Sequence, residues 1–312
     1  MVKLIKLGGT LLKEKNTYSL LKNILNKEIN ANKNKVIIVV SAIGRNNDPY
    51  ATDTLKKLGT NLEGLDLDYL LGLGEIISSL VMGSSLKEFN PFIVRYNKIG
   101  IKKTSKINLD NSNLINYLNK YNLLIIPGFI VVNQDDELIT LDRGGSDLTA
   151  VLIAKMLNLK EITLYKETGG VMSADPKLVA SPYLMKYLNY DDMYHLAKLG
   201  AKVIQKDAVK FAKEENIKII IKSLYLDEIG SIISNKSEAK EILGVSTFDN
   251  YIYLIGKVNK LDEEVIKSLM EEYNISINKI KLMDGYILIE VINGKRNFAL
   301  NLIHHKFMNK RS

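Results

Sequence analysis

Thr140-Leu141-Asp142-Arg143-Gly144-Gly145-Ser146-Asp147 is the stretch from which the fold of this chain can be read. Just upstream, residues 123–129 form an apolar run ending in Pro127-Gly128-Phe129, which reads as a buried strand closing in a turn. Downstream, residues 148–157 carry helical apolar spacing through Leu148, Val151, Leu152 and Met156. The glycine pair therefore falls where a loop enters a helix, with Ser146 or Asp147 available as N-cap. Such a helix start presents unpaired N–H groups and a partial positive charge, which suits an anion. Arg143 adds a planar fork matched to a carboxylate or phosphate. Taken alone, the stretch reads equally well as a capped helix after a glycine turn, so the rest of the chain has to decide.

Outward from it, strands and helices alternate. Residues 2–7 read as a first strand, which Gly8-Gly9-Thr10 turns towards a helix over 18–29. Residues 35–41 are apolar almost throughout, as expected of a strand covered on both faces. A turn-rich loop over 44–50 leads to a helix carrying Leu70, Leu71, Leu73, Ile76, Ile77 and Leu80, with Glu75 near its start. Further strands are expected at 161–165 and 218–222. This rhythm predicts an α/β fold with a mostly parallel sheet sandwiched by helices. Ligands gather at the carboxyl ends of such strands, where Lys6, Gly8-Gly9, Ser41, Gly128-Phe129 and Lys166-Glu167 all fall. From about residue 235 the pattern changes to strand 251–258, helix 262–273, a hairpin over 277–292 around Asp284-Gly285, and helix 298–307. That β-α-β-β-α order predicts a small α+β domain at 236–312 after a larger one at 1–235.

The 312 residues are 46% hydrophobic and 25% charged, the balance of a globular chain with a real core. The net charge of +8 is spread over scattered lysines among Asn and Ile, with no basic run interleaved with aromatics, so no nucleic-acid partner is expected. The absence of Cys excludes a disulfide framework, a thiolate metal site and a thiol nucleophile. The first apolar run breaks at Gly8, too early for a signal peptide, and no stretch approaches the ~20 apolar residues of a membrane span. The expectation is a cytoplasmic chain without membrane contact.

Gly8-Gly9 lets backbone amides approach a phosphate, and Lys6 just before it supplies a mobile charge. Lys202, after Gly200-Ala201 and at the head of a helix over 203–213, is either a second such cation or a solvated helix-start lysine. A carboxylate such as Asp147 between two lysines would hold both in position. Phosphoryl transfer asks the protein mainly for alignment and charge neutralisation. Glu75, inside an apolar segment, either sits at a helix N-terminus for dipole reasons or waits for a cation. Glu75 for an ammonium and Arg143 for a carboxylate would together define an α-amino acid pocket. His195, His304 and His305 have no metal-ligand spacing, so no protein-held metal is expected.

The chain resembles the aspartokinases of the amino acid kinase superfamily. Lys6-Leu7-Gly8-Gly9-Thr10 is similar to that family's opening motif. Val39-Val40-Ser41-Ala42-Ile43-Gly44-Arg45, Gly74-Glu75, Pro127-Gly128-Phe129, Arg143-Gly144-Gly145-Ser146-Asp147, Gly169–Pro176 and Gly200-Ala201-Lys202-Val203 follow in family order. The resemblance implies ATP-dependent phosphorylation of the side chain of L-aspartate, with Mg²⁺, by an amino acid kinase-like fold followed by an ACT-like domain. It implies Lys6 and Lys202 on the transferring phosphoryl group, organised by Asp147. It further implies Ser41, Glu75, Arg143, Ser146, Gly128 and Phe129 around aspartate, and Gly8, Gly9, Thr10, Lys166, Glu167, Asp175 and Lys177 around the nucleotide. Departures are Lys166-Glu167 for the usual Thr-Asp, Lys177 for Arg, and Gln205-Lys206-Asp207 for a His-Pro-Arg-like segment. The C-terminal part holds one ACT-like unit where the family usually has two, and its open sheet edges imply a homodimer. The alternatives are a non-catalytic amino-acid or nucleotide sensor on the same fold, or a kinase for another small amino acid.

Overall fold

The computed structural model describes residues 1–142, 144–226, 228–236, 241–292 and 294–308. From the N-terminus, β1 (Val2–Leu7) leads through α1 (Gly9–Lys13) and α2 (Lys15–Leu25) to β2 (Lys35–Val40), α3 (Thr52–Leu58) and α4 (Gly64–Ser85). β3 (Phe92–Ile93), β4 (Ile101–Lys103), β5 (Ile107–Leu109) and α5 (Ser112–Lys120) precede β6 (Leu123–Pro127), β7 (Ile130–Val132) and β8 (Leu138–Thr140). Next come α6 (Gly145–Met156), β9 (Glu161–Tyr165), β10 (Val171–Met172), β11 (Leu184–Met185) and β12 (Tyr187–Asn189). α7 (Tyr190–Lys198), α8 (Lys206–Glu214), β13 (Lys218–Lys222) and β14 (Ile229–Ser234) follow. The C-terminal part is β15 (Ile242–Phe248), β16 (Tyr251–Gly256), α9 (Lys260–Glu272), β17 (Ile277–Met283), β18 (Tyr286–Val291) and α10 (Arg296–Met308). The contacts group residues 1–169 with 211–229, and 170–210 with 230–312, as two compact units.

In the first unit a parallel sheet runs β13-β9-β1-β2-β6-β3. Residues 36–40 and all of β6 are buried, which is why these segments read as unbroken apolar runs. α6 is buried along nearly its whole length and packs against β1, β2 and β9. A second small sheet, β5-β4-β7-β8, carries the hairpin that leads into the 140–147 loop. The helix expected over 18–29 is α2 continued by a π-turn at Asn26–Ala31, with the short α1 before it. Two local expectations are corrected. α4 begins at Gly64, so Glu75 lies in the middle of a 22-residue helix and the dipole explanation falls away. α6 is capped by Gly144 at φ 86°, a left-handed position, while Ser146 and Asp147 sit inside its first turn.

In the second unit β10 pairs β11, β12 pairs β14 in parallel, and four antiparallel strands run β15-β16-β18-β17. The expected β-α-β-β-α order lacks the strand that precedes it: β15 supplies the fourth strand from the N-terminal side. α8 starts at Lys206, so Lys202 lies in the turn before it and not on a helix.

Candidate active site

The carboxyl ends of four strands meet because Leu7 pairs with both Val40 and Tyr165, and Val40 with Pro127. The next residues of each strand, Gly8, Ser41, Lys166 and Gly128, are thereby gathered by sheet register alone. The Gly128 N–H donates to Val40 O (2.9 Å) and the Lys166 N–H to Lys222 O (3.0 Å). A Cβ at Gly9 would lie 2.2 Å from Ala42 O, so only glycine lets the turn after β1 touch the loop after β2. Thr10 follows in α1, half-buried.

Lys6 Nζ lies 2.8 Å from Asp147 Oδ1, and both side chains are 5% exposed. Lys166 Nζ donates to Asp147 Oδ1 and Oδ2, each at 3.0 Å. Sequence reasoning set Lys166 in a nucleotide pocket and did not anticipate this contact. A signal existed: Lys166 directly follows β9 at the same sheet end as Lys6. Burial pushes the Asp147 carboxyl up, but Lys166 and Lys6 more than reverse this and hold it at about 2. Burial pulls the Lys166 ammonium down to about 8, with Asp147 opposing and Lys6 and Arg45 adding to the fall. Two ammonium groups thus share one carboxylate away from water, an arrangement that is costly until an anion completes it.

Glu75 is 2% exposed. Its Oε1 accepts the Ala42 N–H at 3.1 Å, whereas Oε2 is buried and has no hydrogen-bond partner among the described residues. Burial pushes this carboxyl up to about 8, with the Ala42 N–H and Lys6 opposing. The helix comes this close because position 74 is glycine: a Cβ there would lie 2.7 Å from Tyr50 O and 2.8 Å from Ala42 Cβ. One turn further on, the Ser78 hydroxyl donates to Ser41 O at 2.6 Å. Sequence reasoning did not single out Ser78. An orphan carboxylate oxygen near a lysine–carboxylate cluster is suited to a ligand that carries its own N–H donors.

Phe129 has φ 66° and is held by two bonds, its N–H to Thr149 Oγ1 (3.0 Å) and its O from the Leu141 N–H (2.8 Å). A Cβ at Gly128 would lie 2.7 Å from Ser146 Cβ, so Gly128, Phe129, Ser146 and Asp147 form one junction between β6 and α6. Arg143 lies outside the described residues. Glu167 is exposed in the turn after β9. Asp175, Lys177 and Lys202 belong to the second unit and are exposed there, with the Lys177 N–H donating to Asp175 Oδ1 at 2.9 Å. No helix among the described residues is long and apolar enough to cross a membrane.

Residues 1–223 match the profile of the amino acid kinase family. The chain is 28% identical over 290 residues to Aspartokinase 1 of Bacillus subtilis, covering 89% of this chain and 71% of that protein. Other aspartokinases are matched over 53–60% of their own length. Among solved structures, the aspartate kinase of Clostridium acetobutylicum superposes with a TM-score of 0.73 at 16% identity, over 98% of this chain and all of that one. E. coli aspartokinase III in complex with aspartate and ADP superposes with a TM-score of 0.67 at 17% identity, over 95% of this chain and 80% of that one.

Proposed function

The chain belongs to the amino acid kinase family, and from that premise we propose that it transfers the terminal phosphoryl group of ATP to the side-chain carboxylate of L-aspartate. The observation that carries this reading is one site holding both a buried cation cluster, Lys6–Asp147–Lys166, and a buried Glu75 oxygen without a partner among the described residues. The first suits phosphate and the second suits an α-ammonium group. A nucleotide or carbamate acceptor has no ammonium for Glu75 to pair. Arg143 holds the α-carboxylate, Ser41 meets the reacting carboxylate, and Gly128, Phe129 and Ser146 wall the pocket. Gly8, Gly9 and Thr10 face the phosphates. On the resemblance to aspartokinases, Lys202 joins Lys6 on the transferring group, and Lys166, Glu167, Asp175 and Lys177 line the nucleotide.

In the reaction, a side-chain oxygen of aspartate attacks the γ-phosphorus while the bond to the β-γ bridging oxygen breaks, giving 4-phospho-L-aspartate and ADP. The attacking carboxylate is already ionised at neutral pH, so no general base is required. The protein's part is alignment and neutralisation of phosphate charge. Mg²⁺ would arrive with the nucleotide as part of the substrate and would help neutralise phosphate charge, while Lys6 and Lys166, both on Asp147, match phosphate oxygens.

The product is an activated acyl phosphate, the entry point to amino-acid biosynthesis from aspartate in the cytoplasm. Residues 1–235 supply the catalytic side chains and 236–312 a single ACT-like domain. The chain acts as a homodimer, and these 312 residues, with one ACT-like unit at 236–312, respond weakly at most to lysine or threonine. ADP release measured with L-aspartate, L-glutamate, N-acetyl-L-glutamate and UMP tests the activity: turnover with L-aspartate alone is expected. ATP binding without aspartate-dependent turnover would establish a sensor instead. Sedimentation and assays at millimolar lysine and threonine test the rest, and a monomer or strong inhibition would refute it.

A further inference from the structure

Lys166 is more deeply committed to the phosphate cluster than a nucleotide-pocket residue needs to be. Its backbone is fixed on both sides, its N–H donating to Lys222 O (3.0 Å) and its O accepting from the Gly169 N–H (3.2 Å). Its side chain is 16% exposed and aimed at Asp147, whose own side chain is 5% exposed. The charged groups that face it are Asp147 from α6, Lys6 from β1 and Arg45 from the loop after β2. Among the described residues those are two cations and one anion. A lysine placed there for packing alone would lose hydration and meet like charge, so the arrangement calls for a second anion. Each ammonium has three donors, and one carboxylate leaves donors over for phosphate oxygens.

We propose that Lys166 is a catalytic residue that grips the transferring phosphoryl group together with Lys6, with Asp147 as the shared counter-ion between the two ammonium groups. This rests on the kinase reading and deepens it: Lys166 contacts the terminal phosphate and not the adenosine. Phosphate contact favours the ammonium form, so binding raises its affinity for the proton. In the free enzyme the productive form is lost as pH rises through about 8.

Calorimetric titration of the full chain with Mg·AMP-PNP and Mg·ADP at pH 7 reads this without any acceptor. The unaltered chain is expected to favour AMP-PNP by about tenfold, as one charge-assisted hydrogen bond allows. Lys166→Met should lose most of that preference while ADP affinity stays within about threefold. Lys166→Arg should keep it. In turnover, Lys166→Met should lower kcat by on the order of 100-fold with little change in aspartate KM. The nucleotide kcat/KM of the unaltered chain should fall above about pH 8, and Lys166→Arg should move that limb to higher pH. Retention of the preference in Lys166→Met overturns the proposal, as does an equal loss of both ligands or an absence of preference in the unaltered chain. If Lys166→Met does not fold, an unmoved alkaline limb in Lys166→Arg overturns it instead. A preserved AMP-PNP preference without aspartate turnover would sink the acceptor assignment and leave this one standing.

Discussion

At Glu75 the fold buries a carboxyl group, gives one oxygen the Ala42 N–H and leaves the other without a partner among the described residues. With its pKa raised from 4.5 to about 8, the folded chain holds a proton there that the unfolded chain releases. Between those values stability therefore falls as pH rises. Glu75→Gln keeps an acceptor for Ala42 and cannot ionise. Its melting temperature should exceed that of the unaltered chain at pH 8 to 9 and match it near pH 4.5. The same substitution removes the ammonium partner, so aspartate KM should rise at least about tenfold, the worth of a charge-assisted hydrogen bond. In the unaltered chain, binding an ammonium ejects the Glu75 proton, so aspartate affinity should improve from pH 6 to 8. Titrations in buffers of different ionisation enthalpy should show close to one proton released at pH 7. No proton release would mean that Glu75 does not meet the ammonium. Lys6→Ala should instead lower kcat by orders of magnitude at nearly constant aspartate KM, because its charge matters most as phosphate charge redistributes.

At the level of elements, α4 reaches the site only because Gly74 has no side chain. Gly74→Ala places a methyl 2.7 Å from Tyr50 O and 2.8 Å from Ala42 Cβ, both in one loop. That loop or the helix must then withdraw by more than half an ångström, and the Glu75–Ala42 bond lengthens. A fall in stability of about 1–3 kcal/mol is expected with a rise in aspartate KM, read by denaturant unfolding and kinetics. An unchanged KM would mean that the helix position is not set here. Sequence spacing made β2 and β6 legible, since a strand buried on both faces is an apolar run bounded by turn residues. It misplaced Glu75, because Gly64 starts α4 without a side-chain cap and apolar residues then run almost all round the helix. It missed β15, whose pairing shifts register between Ile242 and Gly244 and so hides the period of two. The lysine on Asp147 was only half legible: Lys166 could be placed at the sheet end near Lys6, but its contact across 19 residues follows from which strands are neighbours, and spacing does not give that.

Across the whole molecule, the C-terminal sheet does more than follow a finished catalytic domain. Val245 N–H donates to Ser173 O (2.8 Å), Ser173 Oγ lies 2.9 Å from His304 Nε2, and Asn301 Nδ2 donates to Leu178 O (2.7 Å). Ala174 and Val179 are buried in the same cluster as Ile252, Leu254, Ile287 and Leu300. On the turn that carries Lys202, Ser246 Oγ donates to Leu199 O (2.5 Å), and Gly200 has no room for a Cβ beside Thr247 O. Segments proposed to line the nucleotide and to grip phosphate are thus built on β15, β16 and α10. A fragment ending at residue 235 would expose Ala174 and Val179 and strand the Ser173 carbonyl. It should therefore aggregate or unfold without cooperativity, and retain less than a few per cent of the activity. His304 gives an independent handle within the intact chain. Burial, reinforced by the neighbouring His305, holds its pKa below the ordinary 6.5. Below pH 6.5 the unfolded chain therefore takes up this proton more readily than the folded one, and stability declines as pH falls. His304→Gln, which can still bond Ser173 Oγ, should flatten the drop in melting temperature between pH 6.5 and 5. A folded, active 1–235 fragment, or an acid limb unaltered by His304→Gln, would show that the sheet merely accompanies the residues it touches.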